Sequence, residues 1–438
     1  MSGISSFMGL QTALRGLLAS QEAIDTTGHN IANANTPGYS RQQANLTESY
    51  ALTIPAYSNV TGGGVQLGTG VDVTTINRIR NTFLDIQYRA QNTTSNYAST
   101  QANILDQVQT GLAEPSDHGL QSQLSAFWSA WSDLANAPTS VAAKQTVIDA
   151  ANSLVQTFNS IDQQLSTIQT QTATQYATLT GAGGQLQNDA NQIAALNGSI
   201  SQALAAGQQP NDLMDKRDAL IDDLSSLGSV SVVDPGNGLL QITFGGGSTP
   251  LVSGTTVNWP PSIGTSPGGE LGALTNLSGA TGQIASYRST LDNIANQLVT
   301  SVNAIHTATP FFSGTTAGTI AVAATTATIQ TTTTGNPGAN DVAQAIAGLA
   351  GGAIDQAYSA FISGVGSDVQ STQSTQTTSQ AVLDSIDNQR KSVSGVSLDE
   401  EMTNLVSFQR AYQASARMMT TIDSMLDTLI NHTGTVGL

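Results

Sequence analysis

The stretch Asn30-Ile-Ala-Asn-Ala-Asn-Thr-Pro-Gly-Tyr-Ser-Arg-Gln42 stops a helix and turns the chain, because proline and the residue before it disfavour helix and glycine permits a positive φ. Upstream of that stop, Phe7, Leu14, Gln21 and Gly28 recur every seven residues, and Leu10, Leu17, Ile24 and Ile31 alternate with them in one narrow helical stripe. At the other end Leu398, Leu405, Tyr412, Met419 and Leu426 interleave with Met402, Ala416 and Ile430. The two ends are therefore expected to be complementary coiled-coil helices. Full burial of Phe7, Leu10, Leu14, Leu17, Ile24 and Ile31 stabilises by roughly 10 kcal/mol. Fixing about thirty backbone positions costs about 1–2 kcal/mol each, only partly offset by helix hydrogen bonds. Such ends need further burial against neighbouring copies, as in a subunit of a tubular polymer.

Between the ends the period changes several times. Glycines 62–70 leading into Val71–Ile76 read as extended chain with turns, and a helix starts near Asn81 and fades at Gly111 and Pro115. Leu120, Leu124, Phe127, Trp131 and Leu134 share one face of a second helix. A heptad phase from Val147 to Ile200 predicts a rod, with Gly181, Gly183 and Gly184 as the place for a bend, and a short helix around Met214–Leu224 returns beside it. From Gly228 the period is two, with short strands around the turn cluster Asp234-Pro-Gly-Asn-Gly238. Helix resumes over Ile284–Ile305. Residues 310–339 hold two edge-like strands or little order, and helical segments through Tyr358 and Ile386 lead to a linker at Lys391–Gly395.

The expected fold class is mainly α with β-rich insertions. Residues 1–60 with 395–438 form a terminal coiled-coil domain, 61–228 with 276–306 and 346–394 an elongated helical bundle, and 229–275 with 307–345 a small outer β domain.

Composition narrows the function. The 438 residues carry a net charge of -17, which repels phosphate backbones and anionic lipids, so neither nucleic acid nor membrane is an expected partner. No run approaches about 18 consecutive apolar residues, and the start lacks the basic-then-apolar pattern of a cleavable signal. The chain either stays in the cytoplasm or leaves by a route that reads an uncleaved N-terminus. Cysteine is absent, which removes thiol chemistry.

His29, His118, His306 and His432 stand alone near helix ends, without metal-binding spacing, and no phosphate loop or nucleophile elbow occurs. Asp399-Glu400-Glu401 reads as a first-turn cluster, with Ser397 and Glu400 spaced as a capping box. Trp128 and Trp131 with Phe127 read as core rather than as a sugar platform. No enzyme, cofactor or metal is expected. The alternative is an exported cell-wall hydrolase or adhesin with its activity in 229–345, where Asp234, Glu270, Asp292 and Asp341 are the only carboxylates, too scattered for a glycosidase pair.

Three blocks carry a family resemblance: Asn30–Gln42, Gly395-Val-Ser-Leu-Asp-Glu-Glu-Met402, and Phe408-Gln-Arg-Ala-Tyr-Gln-Ala-Ser-Ala-Arg417 with Met425–Ile430 behind it. Together they resemble the bacterial flagellar hook-associated protein 1 family, the hook-filament junction proteins. Pro37, Tyr39 and Arg41 distinguish this turn from the Thr-x-Gly-Phe version usual in hook and rod relatives. Asp212-Leu-Met-Asp-Lys-Arg-Asp218 is similar to the family's mid-chain helical block. The resemblance implies export through the flagellar type III apparatus after a transient cytoplasmic pool, with a dedicated chaperone on the C-terminal helix. It further implies a secreted, extracellular subunit in a tubular homo-oligomer between the hook protein and the next junction protein. The subunit-interface residues expected are Phe7, Leu10, Leu14, Leu17, Ile24, Ile31, Asn33, Asn35, Pro37, Gly38 and Tyr39, with Leu398, Met402, Leu405, Phe408, Tyr412, Met419, Leu426 and Ile430.

Overall fold

The N-terminal stripe becomes α1 (Ser6–Ala32) in the computed structural model, which describes residues 6–54, 65–336 and 338–431; the glycine run 62–64 and His432 lie outside these. The turn after α1 opens two antiparallel ribbons, β1 (Gln42–Glu48) with β4 (Val71–Arg78) and β2 (Leu52–Ile54) with β3 (Val65–Leu67). The first ribbon lies along α1, where Arg15 bonds Ser49 and faces Asp72 at 3.6 Å. Asn81 then caps α2 (Thr82–Leu112), its side-chain oxygen accepting from the Phe83 and Leu84 N–H groups that a first turn leaves unpaired.

α3 (Leu120–Asn136), α4 (Val141–Thr180), α5 (Gln185–Ala205) and α6 (Asn211–Leu227) follow. The predicted rod is thus two helices, interrupted at the expected glycines. Gly183 has φ 76°, and a Cβ on Gly184 would strike the Leu179 carbonyl oxygen at 2.7 Å. The returning helix is α6, whose Arg217 reaches Asn197 of α5 at 3.0 Å.

β5 (Val230–Val233) and β6 (Gln241–Phe244) make the expected hairpin, which β7 (Val252–Ser253) and β8 (Thr256–Val257) extend to a four-stranded meander. α7 (Gly269–Ser278) and α8 (Gln283–Ile305) lead to the pair β9 (Phe312–Ser313) and β10 (Ala321–Val322). α9 (Asp341–Ala347), α10 (Ala353–Ser394) and α11 (Leu398–Asn431) complete the chain. The meander and the β9–β10 pair are separate sheets, and both send side chains, Phe244 and Phe312 among them, into one apolar core shared with the helices. α10 runs through the linker expected at 391–395, so only Gly395, Val396 and Ser397 separate it from α11.

The architecture is mainly α with small β insertions, and its long helices set the geometry of both ends. α2 and α10 pack antiparallel, with Glu114 bonded to Tyr358 at 2.9 Å and Ser95 to Gln380 at 2.9 Å. α8 bridges to α10 through Tyr287 and Asp368, 2.6 Å apart, and α4 to α8 through Asp162 and Arg288 at 2.9 Å. Phe127 and Trp131 are buried against Phe311, Trp128 lies against Phe127, and the Trp128 indole donates to Asp355 at 3.1 Å, so the aromatic cluster is core as its spacing predicts.

Candidate functional site

α1 and α11 pair antiparallel, and the residues shown in contact lie beside the large-residue stripes of both helices. A methyl group built on Gly9 would lie 3.2 Å from Ile422, and one on Gly16 would lie 3.0 Å from Ser415 Oγ; seven residues forward on α1 match seven back on α11. Fourteen further in the same register, Asn30 meets Glu401 at 3.1 Å. The buried residues of α1 between these points are small, Ala13, Ala19, Ser20, Ala23, Thr26 and Thr27, and Ala13, Gly16, Ser20, Ala23 and Thr27 fall at alternating spacings of three and four. Small side chains let the backbones approach, so larger residues of the partner can fill the gap.

On α11 the residues set against these are Ile422, Ser415 and Glu401, and Leu405, Phe408, Tyr412, Met419 and Leu426 are half-buried on the same helix. The N-terminal stripe is displaced from the seam. Leu10, Leu17, Ile24 and Ile31 are half-buried on its flank, while Phe7 and Leu14 are 62% and 43% exposed. Leu398, Met402 and Ile430 of α11 also stand outside, 50%, 53% and 71% exposed. Sequence reasoning weighted large apolar residues and passed over the 3–4 pattern of Gly9, Ala13, Gly16, Ser20, Ala23, Thr27 and Asn30, which is the signal for a close helix pair.

The turn is what Pro37 and Gly38 require. The Tyr39 N–H donates to the Thr36 carbonyl at 3.2 Å and Gly38 has φ 78°, the type II geometry with proline second and glycine third. Asn33 braces it, donating to the His29 carbonyl and accepting from the Thr36 hydroxyl; Asn35 is exposed. The Tyr39 hydroxyl donates to Asn30 Oδ1 at 2.8 Å. Burial, with Asp212, Asp215 and Glu401 nearby, pushes the Tyr39 phenol well above its usual range.

Past the turn the chain enters a joint that ties four segments together. Arg41 donates from its backbone to the Ser394 carbonyl at 2.8 Å, from Nε to Glu401 at 2.7 Å and from Nη1 to Glu400 at 2.8 Å. The first-turn carboxylates of α11 are therefore engaged by Arg41, rather than by the capping box that the spacing of Ser397 and Glu400 suggests. Ser40 donates to Asp215 through both its N–H and its hydroxyl, at 3.0 and 2.8 Å. Beneath lies a charge lattice: Arg78 on Asp215 and Asp218, Arg80 on Asp218 and Asp85, Arg89 and Arg390 on Asp222, each at 2.6–2.9 Å. Burial alone would raise the Asp218 carboxyl, but Arg80, Arg78 and Arg89 hold it below its usual range. The Arg390 guanidinium also sits 3.8 Å from the centre of the Tyr88 ring. Only the Asp212–Asp218 block was legible as a unit; its arginine partners come from β4 (Arg78), the link to α2 (Arg80) and α2 itself (Arg89).

The four carboxylates of the β-rich region hold local structure. Asp234 accepts from the Gly236 N–H, Asp292 from the Ala317 N–H, Asp341 from Thr333, and Glu270 from Gln175. His306 is buried at the end of α8, bonded to the Thr309 carbonyl and the Gln330 N–H, a capping role in line with its place in the sequence. Among the described residues no cluster of histidine or carboxylate side chains has the geometry of a metal site, and no helix is long and apolar enough to cross a membrane.

Known proteins resemble the chain in the same regions. Residues 105–259 match the family model for the flagellar hook-associated protein FlgK helical domain, 10–39 that for the flagella basal body rod protein, and 389–432 that for the flagellar basal body rod FlgEFG protein C-terminal. The last two cover most of α1 with its turn and all of α11. Flagellar hook-associated protein 1 of Bacillus subtilis is 32% identical over 99% of both chains, and that of Escherichia coli K12 is 26% identical over 96% of this chain and 99% of its own. A solved structure of the flagellar hook junction protein FlgK from Burkholderia pseudomallei aligns with TM-score 0.45 and 23% identity over 51% of this chain and 44% of that one. The full-length identity to the Bacillus protein, together with the terminal pair and the joint beneath it, places this chain in the flagellar hook-associated protein 1 family, structural proteins of the bacterial flagellum.

Proposed function

We propose that the chain is the subunit of a tubular layer joining hook to filament, and that copies assemble through their terminal helices. The observation that carries this reading is that α1 and α11 use small residues and one half-buried face to hold each other, leaving Leu14 and Leu18 on one helix and Met402, Val406 and Met418 on the other exposed. Side chains of this kind stabilise by about 1.5–3 kcal/mol each when covered, so the pair gains most of its burial from neighbours. Asn33, Asn35, Pro37, Gly38 and Tyr39 set the angle at which the pair leaves the body. The terminal segments 1–60 and 395–438 then form the polymerising unit, and the body with its β insertions faces outward. The hook protein on one side, the next junction protein on the other, export in unfolded form, and a cytoplasmic chaperone on α11 complete the proposal.

Electron microscopy of hook tips from a strain lacking the gene tests it. Supplied in trans, the natural chain restores filament attachment. A variant with Leu14→Asp and Met402→Asp is exported, keeps the body's thermal transition, and leaves hooks bare. Normal filaments on that variant would refute assembly through the terminal helices.

A further inference from the structure

The α2–α10 pair has two faces. Along one of them, at its base, α6 is seated through Asp222, which takes Arg89 of α2 and Arg390 of α10 at 2.7 and 2.6 Å. Higher up, α7 and α8 cover the other face, where Asn276 meets Tyr97, and Gln283 meets both Gln101 and Asp368. Toward the base that cover stops and an apolar strip continues bare. Phe83 and Ile86 on α2 are 64% and 60% exposed, and Val382 and Val393 on α10 are 43% and 39% exposed.

The positions run in step. Ser99 bonds Gln376 and Ser95 bonds Gln380, so four residues back on α2 match four forward on α10, and the same register brings Asp85 to Arg390. That register places Ala90 level with Ile386 and, just past Asp85, Phe83 level with Val393, to within one residue. On α10, Val382, Ile386 and Val393 repeat at helical spacing with Gln389 between the last two. The strip ends at Gly395, three residues from the start of α11.

We propose that this bare strip is a second contact surface, occupied by a helix from the terminal pair of another copy of the chain. The distribution of exposed apolar side chains argues for that occupant. Of nineteen large ones exposed among the described residues, only Val141 and Val233 lie between 87 and 381; the others belong to the terminal segments, the β ribbons or this strip. The strip is thus continuous along the chain with the surface that the terminal helices offer, and separate from the neutral polar faces of the upper body. An apolar helix face laid across two helices of a neighbour buries residues at three-four spacing on both sides. The strip thereby couples the outer body of one copy to the inner helices of the next. This inference rests on the assembly reading above.

The chain has no cysteine, so a single Ile86→Cys bearing a benzophenone probe reports neighbours cleanly. In purified flagella, irradiation gives covalent dimers joining residue 86 to α1 or α11 of a second copy; a probe at Val141→Cys and soluble monomer give none. Adducts only within one chain, or only to a different protein, overturn the proposal. Ile86→Asp with Val393→Asp lowers incorporation at the hook tip by about tenfold or more, at unchanged export and unchanged body melting. Incorporation equal to the natural chain also overturns it. If the Leu14→Asp, Met402→Asp variant assembles normally, the assembly reading itself fails; if that variant is blocked while the strip variant assembles and residue 86 gives no dimers, only the strip is refuted.

Discussion

Glu401 is 2% exposed, and both of its oxygens are committed, one to Arg41 and the other to Asn30. Removing one partner of such a pair strands the other, which costs more than the pair contributes. Glu401→Ala is expected to weaken the terminal pair by about 2–4 kcal/mol while sparing the body, since Arg41 is itself partly solvated. Faster hydrogen exchange along α1 and α11, at unchanged exchange in α2 and α8, checks it. Asp189 is the opposite case, a buried carboxylate whose Oδ2 has no partner. Burial first, and Asp223 second, raise its pKa from 3.8 to about 6. The folded state therefore keeps a proton that the unfolded chain loses from about pH 4 upward, and stability falls as pH rises to about 6. Asp189→Asn should raise the body's stability by on the order of 1–3 kcal/mol at pH 8 and leave it nearly unchanged below pH 4. Thermal melts at the two pH values decide the point.

At the scale of elements, the helices that stand on periodic apolar faces were legible. Asn81 marks the start of α2, the glycines 181–184 divide the rod, and Asp234–Gly238 makes the hairpin turn, each because a local side-chain or backbone preference suffices. What was not legible depends on partners far along the chain. The seam face of α1 is built from glycine, alanine, serine and threonine, which carry little hydrophobic signal, and their importance lies in the distance of approach they permit. The joint was hidden for a related reason: Arg78, Arg80, Arg89 and Arg390 look like ordinary solvated charges until the fold gathers them on Asp215, Asp218 and Asp222. The turn at Pro37 and Gly38 connects both. At φ 78° an alanine at position 38 costs about 1–2 kcal/mol, and a Cβ there would meet Ala219 at an ordinary 3.5 Å, so the penalty lies in the backbone alone. Replacing both residues with alanine should let α1 continue toward Arg41 and draw it off Glu401. The expected result is an exported chain with a folded body that retains filaments poorly, read out as secreted filament protein and reduced swimming at unchanged export.

For the whole molecule, burial is uneven. The body has one continuous apolar core, whereas α11 buries a single residue, Glu401, in its described length. Limited proteolysis of the isolated chain should therefore remove the terminal helices first and leave a resistant fragment covering about residues 82–394, because local opening is easiest where few side chains are buried. Recovery of the intact chain, under conditions that nick ordinary loops, would show the pair to be firmly closed without neighbours. The joint has a consequence for how a copy is completed. Asn30 and Glu401 are 371 positions apart and Arg41 and Glu401 are 360 apart, so a chain delivered end first presents its early residues long before their counterparts arrive. The body can fold from contacts already in hand while Arg41 waits. The latch at the base then closes last, and only on a chain that is present through residue 401. A chain cut short between the end of α10 and residue 401 would keep every helix of the body and lack Glu401, the residue that Arg41 and Asn30 hold.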